Sequence, residues 1–180
     1  MKKLFAVAIL LLLMISACAN SFGSRSADSN MISAYQDLLR KEEVKEVINR
    51  LFISTDNRDW ETVSQLFAPE VMFDVTSMVG GDPVRLTPQD IVAAWDKGLK
   101  PLKAIHHQAG NYIVHTKQNE AEVFCYGIAS HYLPNKTNQN TRIFVGSYDF
   151  HLTKNGGNWQ IDKFKFNLKY IDGNPNLEGS

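Results

Sequence analysis

Four long stretches in the second half of the chain, Ala104 to Thr116, Glu120 to Leu133, Thr141 to Lys154 and Trp159 to Tyr170, are rich in aromatic and β-branched residues. They are separated only by turn-formers: Gln118-Asn119, Pro134 to Asn140 and Asn155-Gly156-Gly157-Asn158. Long strands joined by such short connections pair as an antiparallel meander. That pattern constrains the fold more than any other feature, because whatever precedes the strands has to cover one face of the sheet they form.

What precedes them is helical. Val44, Val47, Ile48, Leu51 and Phe52 recur at steps of three and four residues, one apolar stripe of an amphipathic helix expected over Ile32 to Thr55. Trp60, Val63, Leu66 and Phe67 predict a second, short helix ending before Pro69, and Val71 to Val75 a strand. Gly80-Gly81-Asp82-Pro83 reads as a loop. Thr87-Pro88-Gln89-Asp90 then offers an N-cap, a proline in the first turn and an acid three residues after the cap, so a third helix is expected from Pro88 to Lys97, with Gly98 as its stop. Helices first and strands afterwards is the α+β class, with the helices on one face of a curled sheet.

The N-terminus has a different character. Lys2 and Lys3 precede an unbroken apolar run from Leu4 to Ile15, too short to span a bilayer as a helix, and small residues follow: the anatomy of a secretory signal peptide, removed and not folded. Its end, Ile15-Ser16-Ala17-Cys18, resembles the bacterial lipobox, in which the cysteine becomes the lipidated first residue of the mature protein. Acyl chains contribute about 0.8 kcal/mol per buried methylene, so several of them hold a protein at a membrane surface. The expected organisation is a signal peptide over 1–17, a solvated tether over 18–30, one domain over 31–172 and a tail over 173–180, in the bacterial cell envelope. Cys125 is then the one thiol left in the folded part, and reads as a small buried hydrophobe.

Formal net charge is zero, and no basic stripe interleaved with aromatics occurs, so nucleic acid is not an expected partner. None of the five histidines, His106, His107, His115, His131 and His151, stands in a His-x-His pair, and no Cys-x-x-Cys or His-Glu-x-x-His occurs, so no metal site is expected. Two acids near the end of the first helix differ in kind. Asp59 sits where it can cap the next helix. Asp56 continues the Ile48, Phe52 row toward the core, where a carboxylate is costly unless paired. His106 and His107 are neighbours in a strand, so one faces the helices and the other away, and the sequence does not choose between them. An inward imidazole beside Asp56 makes a proton-transfer pair; the bland alternative is a core histidine satisfied by a core aspartate.

The run Asp56-Asn57-Arg58-Asp59-Trp60, then Phe67-Ala68-Pro69, Phe73-Asp74, His107 opening a strand and Gly157-Asn158-Trp159-Gln160 near the end resembles the SnoaL-like branch of the NTF2-like superfamily, with scytalone dehydratase-like enzymes as its nearest catalysts. The resemblance spans Tyr35 to Tyr170. It implies a cone, a strongly curved sheet wrapped around helices with a pocket in its open end, and chemistry without a cofactor. It assigns Asp56 as the acid that orients His107, and His107 as the general base. His131 is the nearest counterpart of a second family histidine, with a bulge needed to keep its face. The tyrosines that hold a bridging water in the dehydratase fall here on Thr55 and Val75. Tyr148 is the best placed substitute hydroxyl, ahead of Tyr112 and Tyr126.

The resulting expectation is a small lyase or isomerase acting on an enolisable organic substrate through His107, Asp56, His131 and Tyr148. The alternatives are a lipid-anchored protein that binds an apolar or aromatic small molecule without reacting it, and a structural module whose pocket is filled. Family members often dimerise through the exposed sheet face. Phe144, Tyr148, Phe150, Phe164 and Phe166 exceed what one sheet face needs, and are compatible with such an interface or with a two-sided core.

Overall fold

The computed structural model describes residues 2–179, and the side chains of 27–179. Two compact units divide the chain, Met1–Arg40 and Lys41–Ser180. Helix α1 covers Lys2–Asp56, so the stretch expected as a tether is helical, and the proposed lipidation site Cys18 lies outside the described side chains. Apolar and straight-chain residues of the leader are strong helix formers, and nothing between them and Ile32 carries a proline to interrupt the ladder. Among the described residues no helix is long and apolar enough to cross a membrane. In the first unit Met31, Ile32, Tyr35, Leu38 and Leu39 are exposed.

The second unit contains the cone. After α1 come α2 (Trp60–Leu66), β1 (Phe67–Asp74), α3 (Thr76–Val79), β2 (Val84–Leu86), α4 (Pro88–Leu99), β3 (Ala104–Lys117), β4 (Glu120–Tyr132), β5 (Thr141–Asn155) and β6 (Asn158–Gly173), with a 3₁₀ turn at Leu177–Gly179. The six strands form one open, curved sheet in the order β2-β1-β6-β5-β4-β3. β3 to β6 are the expected antiparallel meander, whereas β1 joins β6 in parallel. The stripe Val44, Ile48, Leu51 and Phe52 is buried against strand residues such as Val123, Cys125, Phe150, Leu152 and Ile161. Alternation along β4 buries Ala121, Val123, Cys125 and Ala129 on that concave face and leaves Tyr126 and Ile128 on the other.

Three boundaries differ from the sequence pattern, each for a physical reason. α2 ends at Leu66 and Pro69 lies inside β1, where the register against β6 shifts between Phe67 and Met72; the irregularity spares a residue with no N–H from ladder duty. α4 opens with the expected capping box of Thr87 and Asp90, but runs through Gly98 to Leu99. Arg58 caps that end instead, its guanidinium donating to the carbonyl O of Leu99, the last residue of α4, at 3.1 Å and to Leu102 O in the following turn at 2.8 Å. The C-terminal residues are docked: Leu177 is wholly buried against Leu102 and Ile105, and Arg142 is paired with Glu178 at 2.6 Å.

The aromatics of β5 and β6 are also corrected. Tyr148, Phe150, Phe164 and Phe166 are all buried on the concave side, and Phe144 is half-buried there, so they form neither an outer interface nor a two-sided core. A curved sheet that encloses a cavity needs large side chains on its inner face. Two small residues let it curve: Gly127 and Gly146 oppose each other on β4 and β5. A Cβ on Gly127 would fall 2.1 Å from Tyr148 Cε2, and one on Gly146 would fall 2.3 Å from Asn167 O, so the Tyr148 ring rests directly on bare backbone.

Candidate active site

The segment after α1 works as a junction in which each side chain has a separate partner. Arg58, at a φ of 55°, caps α4 as described. Asp59 accepts from Thr62 N at 3.1 Å as the N-cap of α2, and bonding from the Thr62 side chain, then from that N–H, holds its carboxyl below the usual range. Trp60 Nε1 donates to Asp96 Oδ1 on α4 at 2.9 Å. Asp56, the last residue of α1, is left to face the sheet.

There it meets His107. Asp56 Oδ2 accepts the His107 main-chain N–H at 2.8 Å, and Oδ1 lies 2.6 Å from the ring Nδ1. One carboxylate therefore takes up both an inward ring and the strand that carries it. The side chains are 13% and 16% exposed. Because an ionised carboxylate only accepts, the ring proton between them is assigned to Nδ1, which leaves Nε2 with a lone pair. Phe52 stacks on the imidazole at 5.3 Å and fixes its plane. His106 faces outward, 74% exposed, with its Nδ1 3.8 Å from the other carboxylate oxygen. The strand alternation that the sequence could not phase is thereby fixed: His107 is the inward one.

His107 opens onto a cavity of about 310 Å³. Its walls come from Phe52 and Thr55 of α1, from Trp95, Gly98 and Leu99 of α4, and from Phe73, Ala129, Phe144, Tyr148, Phe164 and Phe166 of the sheet. The lining is mostly apolar and of the size of small-molecule sites. Polar groups enter at His107, His131, Arg142 and Tyr148. Among the described residues no group of three His, Cys, Asp or Glu side chains could hold a metal ion.

His131 lines this cavity with no bulge on β4 to place it: His107 opposes Ala129, and His131, two residues on, shares its face. The irregularity in the β3–β4 pairing lies elsewhere, between Gly110 and Ile113. Burial, then the adjacent Arg142 guanidinium, push His131 down to about 4 from the usual 6.5, so it is neutral near pH 7. Tyr148 is buried, its hydroxyl pushed above the ordinary phenol range by burial, and has no hydrogen-bond partner among the described residues. Tyr112 bonds Asn49 and Tyr126 lies under Lys169; neither lines the cavity. Thr55 and Val75 do line it, but the Thr55 hydroxyl is spent on Leu51 O at 2.8 Å. Burial raises the Cys125 thiol to about 12, as suits an inert core residue.

Two lining residues had no signal of their own in the sequence. Arg142 stands on the inward face of β5, six residues before Tyr148, and the strand period would have found it once Tyr148 was phased. Gly98, read as a helix stop, is an open part of the wall.

Residues 36–165 match the model of the SnoaL-like domain. The chain belongs to the SnoaL-like domain family. Solved structures agree on the NTF2-like architecture. The Kfla4162 protein from Kribbella flavida superposes with a TM-score of 0.74 at 20% identity, over 82% of this chain and 99% of that one. A scytalone dehydratase candidate from Novosphingobium aromaticivorans gives 0.66 at 14% identity, over 78% and 91%. The hexachlorocyclohexane dehydrochlorinase LinA-type3 from Novosphingobium barchaimii gives 0.64 at 10% identity, over 77% and 92%. No curated protein sequence matches the chain. At these identities the structural likeness is one of fold, and the SnoaL-like cavity has to be argued from its own residues.

Proposed function

We propose that this SnoaL-like protein is a cofactor-independent lyase or isomerase that removes a proton from carbon next to a carbonyl. The observation that carries the reading is the Asp56–His107 pair opening on an unfilled apolar cavity. His107 Nε2 takes the proton, and Asp56 stabilises the resulting imidazolium through Nδ1–H. The electron pair of the broken C–H bond moves to the carbonyl oxygen. It returns either to expel a leaving group from the next carbon, or to take a proton back at a different carbon. Dehydration and dehydrochlorination, for which two of the structural relatives are named, likewise break a C–H bond and expel a leaving group from the next carbon, although a chlorinated cyclohexane has no carbonyl to hold the electron pair on the way. An apolar wall suits a ring or alkyl body, and the cavity volume limits it to a small molecule.

The deciding test follows the loss of a deuterium label from carbon in a panel of cyclic enolisable ketones, by NMR, with wild-type protein, His107→Ala and Asp56→Asn. Exchange with at least one ketone by the wild type, lost in both variants, supports the reading. Exchange at wild-type rate in both variants eliminates it. A second reading, a non-catalytic carrier of an apolar small molecule, draws on the missing donors at Thr55 and Val75 and predicts binding without exchange.

Three companion statements belong to the same proposal. Lys2, Lys3, the run Leu4 to Ile15 and Ile15-Ser16-Ala17-Cys18 support a lipid anchor on Cys18 and a location in the bacterial envelope; palmitate labelling lost in Cys18→Ser tests it. Exposed Ile113, Tyr126, Ile128 and Tyr170 on the outer sheet face support a homodimer there, tested by sedimentation of Tyr126→Lys. The partner in the cavity is a small organic molecule.

A further inference from the structure

The two inward histidines are held by partners of opposite kind. Asp56 can only accept, and it accepts the hydrogen bond from His107 Nδ1–H. A guanidinium can only donate, and Arg142 Nη2 lies 3.4 Å from His131 Nδ1. That nitrogen of His131 must be the acceptor, so the ring proton sits on Nε2. Arg142 is itself held in place. Its Nη1 donates to Glu178 Oε2 at 2.8 Å and its Nη2 to Glu178 Oε1 at 2.6 Å, a bidentate clamp from the docked C-terminal turn. A second bond runs from Nη1 to Pro175 O at 3.3 Å, and Leu177, wholly buried, pins the turn.

We propose that Arg142 and Glu178 are positioning residues that fix His131 as a neutral Nε2–H donor, and that this donor binds the substrate's carbonyl oxygen opposite the His107 base. The inference rests on the proton-abstraction reading above and supplies the oxygen-binding group that Thr55 and Val75 lack. His131 and His107 are diagonal neighbours on the same face of adjacent strands, and both rings line the one cavity. An H–C–C=O unit in that cavity can present its hydrogen to the accepting nitrogen and its oxygen to the donating one. The substrate class is thereby narrowed to ketones, aldehydes or thioesters with an acidic hydrogen on the adjacent carbon. As His107 takes the proton, the oxygen gains charge and its bond from His131 strengthens, which is stabilisation delivered in the transition state. A neutral donor suits the task, because a cationic imidazole there would oppose the imidazolium forming at His107. Burial first, then Arg142 and His107, keep His131 uncharged against the opposing pull of Glu178 and Asp56, the other groups that face it.

Long-range ¹H–¹⁵N NMR of the histidine rings tests this without any substrate. In the wild type at pH 7, His107 should show the Nδ1–H tautomer and His131 the Nε2–H tautomer. Arg142→Met should mix the His131 tautomers and raise its titration midpoint, Arg142→Lys should restore the Nε2–H form, and His107 should not change in either. A wild-type His131 carrying its proton on Nδ1 overturns the proposal even if the variants fail to fold, as does an unchanged His131 spectrum in Arg142→Met. The two readings fail separately. The wrong His131 tautomer leaves the His107 base standing, whereas correct tautomers in a protein that exchanges no carbon-bound proton sink the base and leave the assignment of Arg142.

Discussion

The molecule carries two histidine–aspartate pairs with the same Nδ1 to Oδ1 distance, 2.6 Å, and they are not equivalent. His107–Asp56 is inside the cone, stacked on Phe52, with its second ring nitrogen on an apolar cavity. His151–Asp162 is on the outer face, 30% and 28% exposed, beside Lys163 and Glu122 in a polar, open hollow. A bulge in β6 between the residues opposite His151 and Leu152 turns Asp162 toward the outer ring, whereas the inner pair is set by the end of a helix. Contact distance is therefore a poor marker of a reactive pair. What separates them is the medium: inside, the ring is desolvated and one nitrogen is open to a ligand, whereas outside, water and neighbouring charges screen the pair.

The largest effect expected from breaking this contrast is on turnover. His107→Ala should lower proton exchange from carbon by about a hundred- to ten-thousand-fold, and His151→Ala should leave it unchanged. Equal losses in both would erase the distinction. Next comes acid stability. Unfolded His131 takes up a proton as pH falls through 6.5, but the folded one does so only near 4, so stability is full above 6.5 and declines between 6.5 and 4. The loss is on the order of 3 kcal/mol, and urea melts at pH 7 and pH 4.5 should show a smaller difference in His131→Asn. Gly127→Ala, which drives a methyl into the Tyr148 ring, should cost about 1–3 kcal/mol in the same melts. Gly98→Leu has open space around its Cβ and should keep the melting temperature while filling the cavity; about tenfold or weaker binding of a naphthalene-sized fluorescent probe is the readout. Smallest of all, Asp162→Asn should change stability by at most about 1 kcal/mol.

Much of the fold and of the inner pair was legible beforehand, the outer pair was not, and the gaps have physical causes. The i, i+4 row Ile48, Phe52, Asp56 pointed the acid inward, and the turn residues bounded the four long strands to within three residues. Strand alternation, however, offers two phases, so the residue pattern alone did not prefer His107 to His106; the family resemblance pointed to His107, and the fold turns that ring inward. β1 was read too short because Pro69 looks like a terminator when it stands at an irregularity. Arg142 and Glu178 were invisible for another reason: their pairing joins a strand to a tail whose composition suggests loose chain, and one buried leucine, Leu177, decides otherwise. α3 and β2, of four and three residues, are too brief to show a period.

Asp56 grips both the amide and the ring of the same residue, and this ties mechanics to reactivity. Any sliding of the end of α1 along the sheet would loosen the strand and turn the ring in one movement, with no intervening relay. Rigidity of that helix end thus sets where the ring stands over the cavity, and it is inherited from Ile48 and Leu51, wholly buried on the same helix.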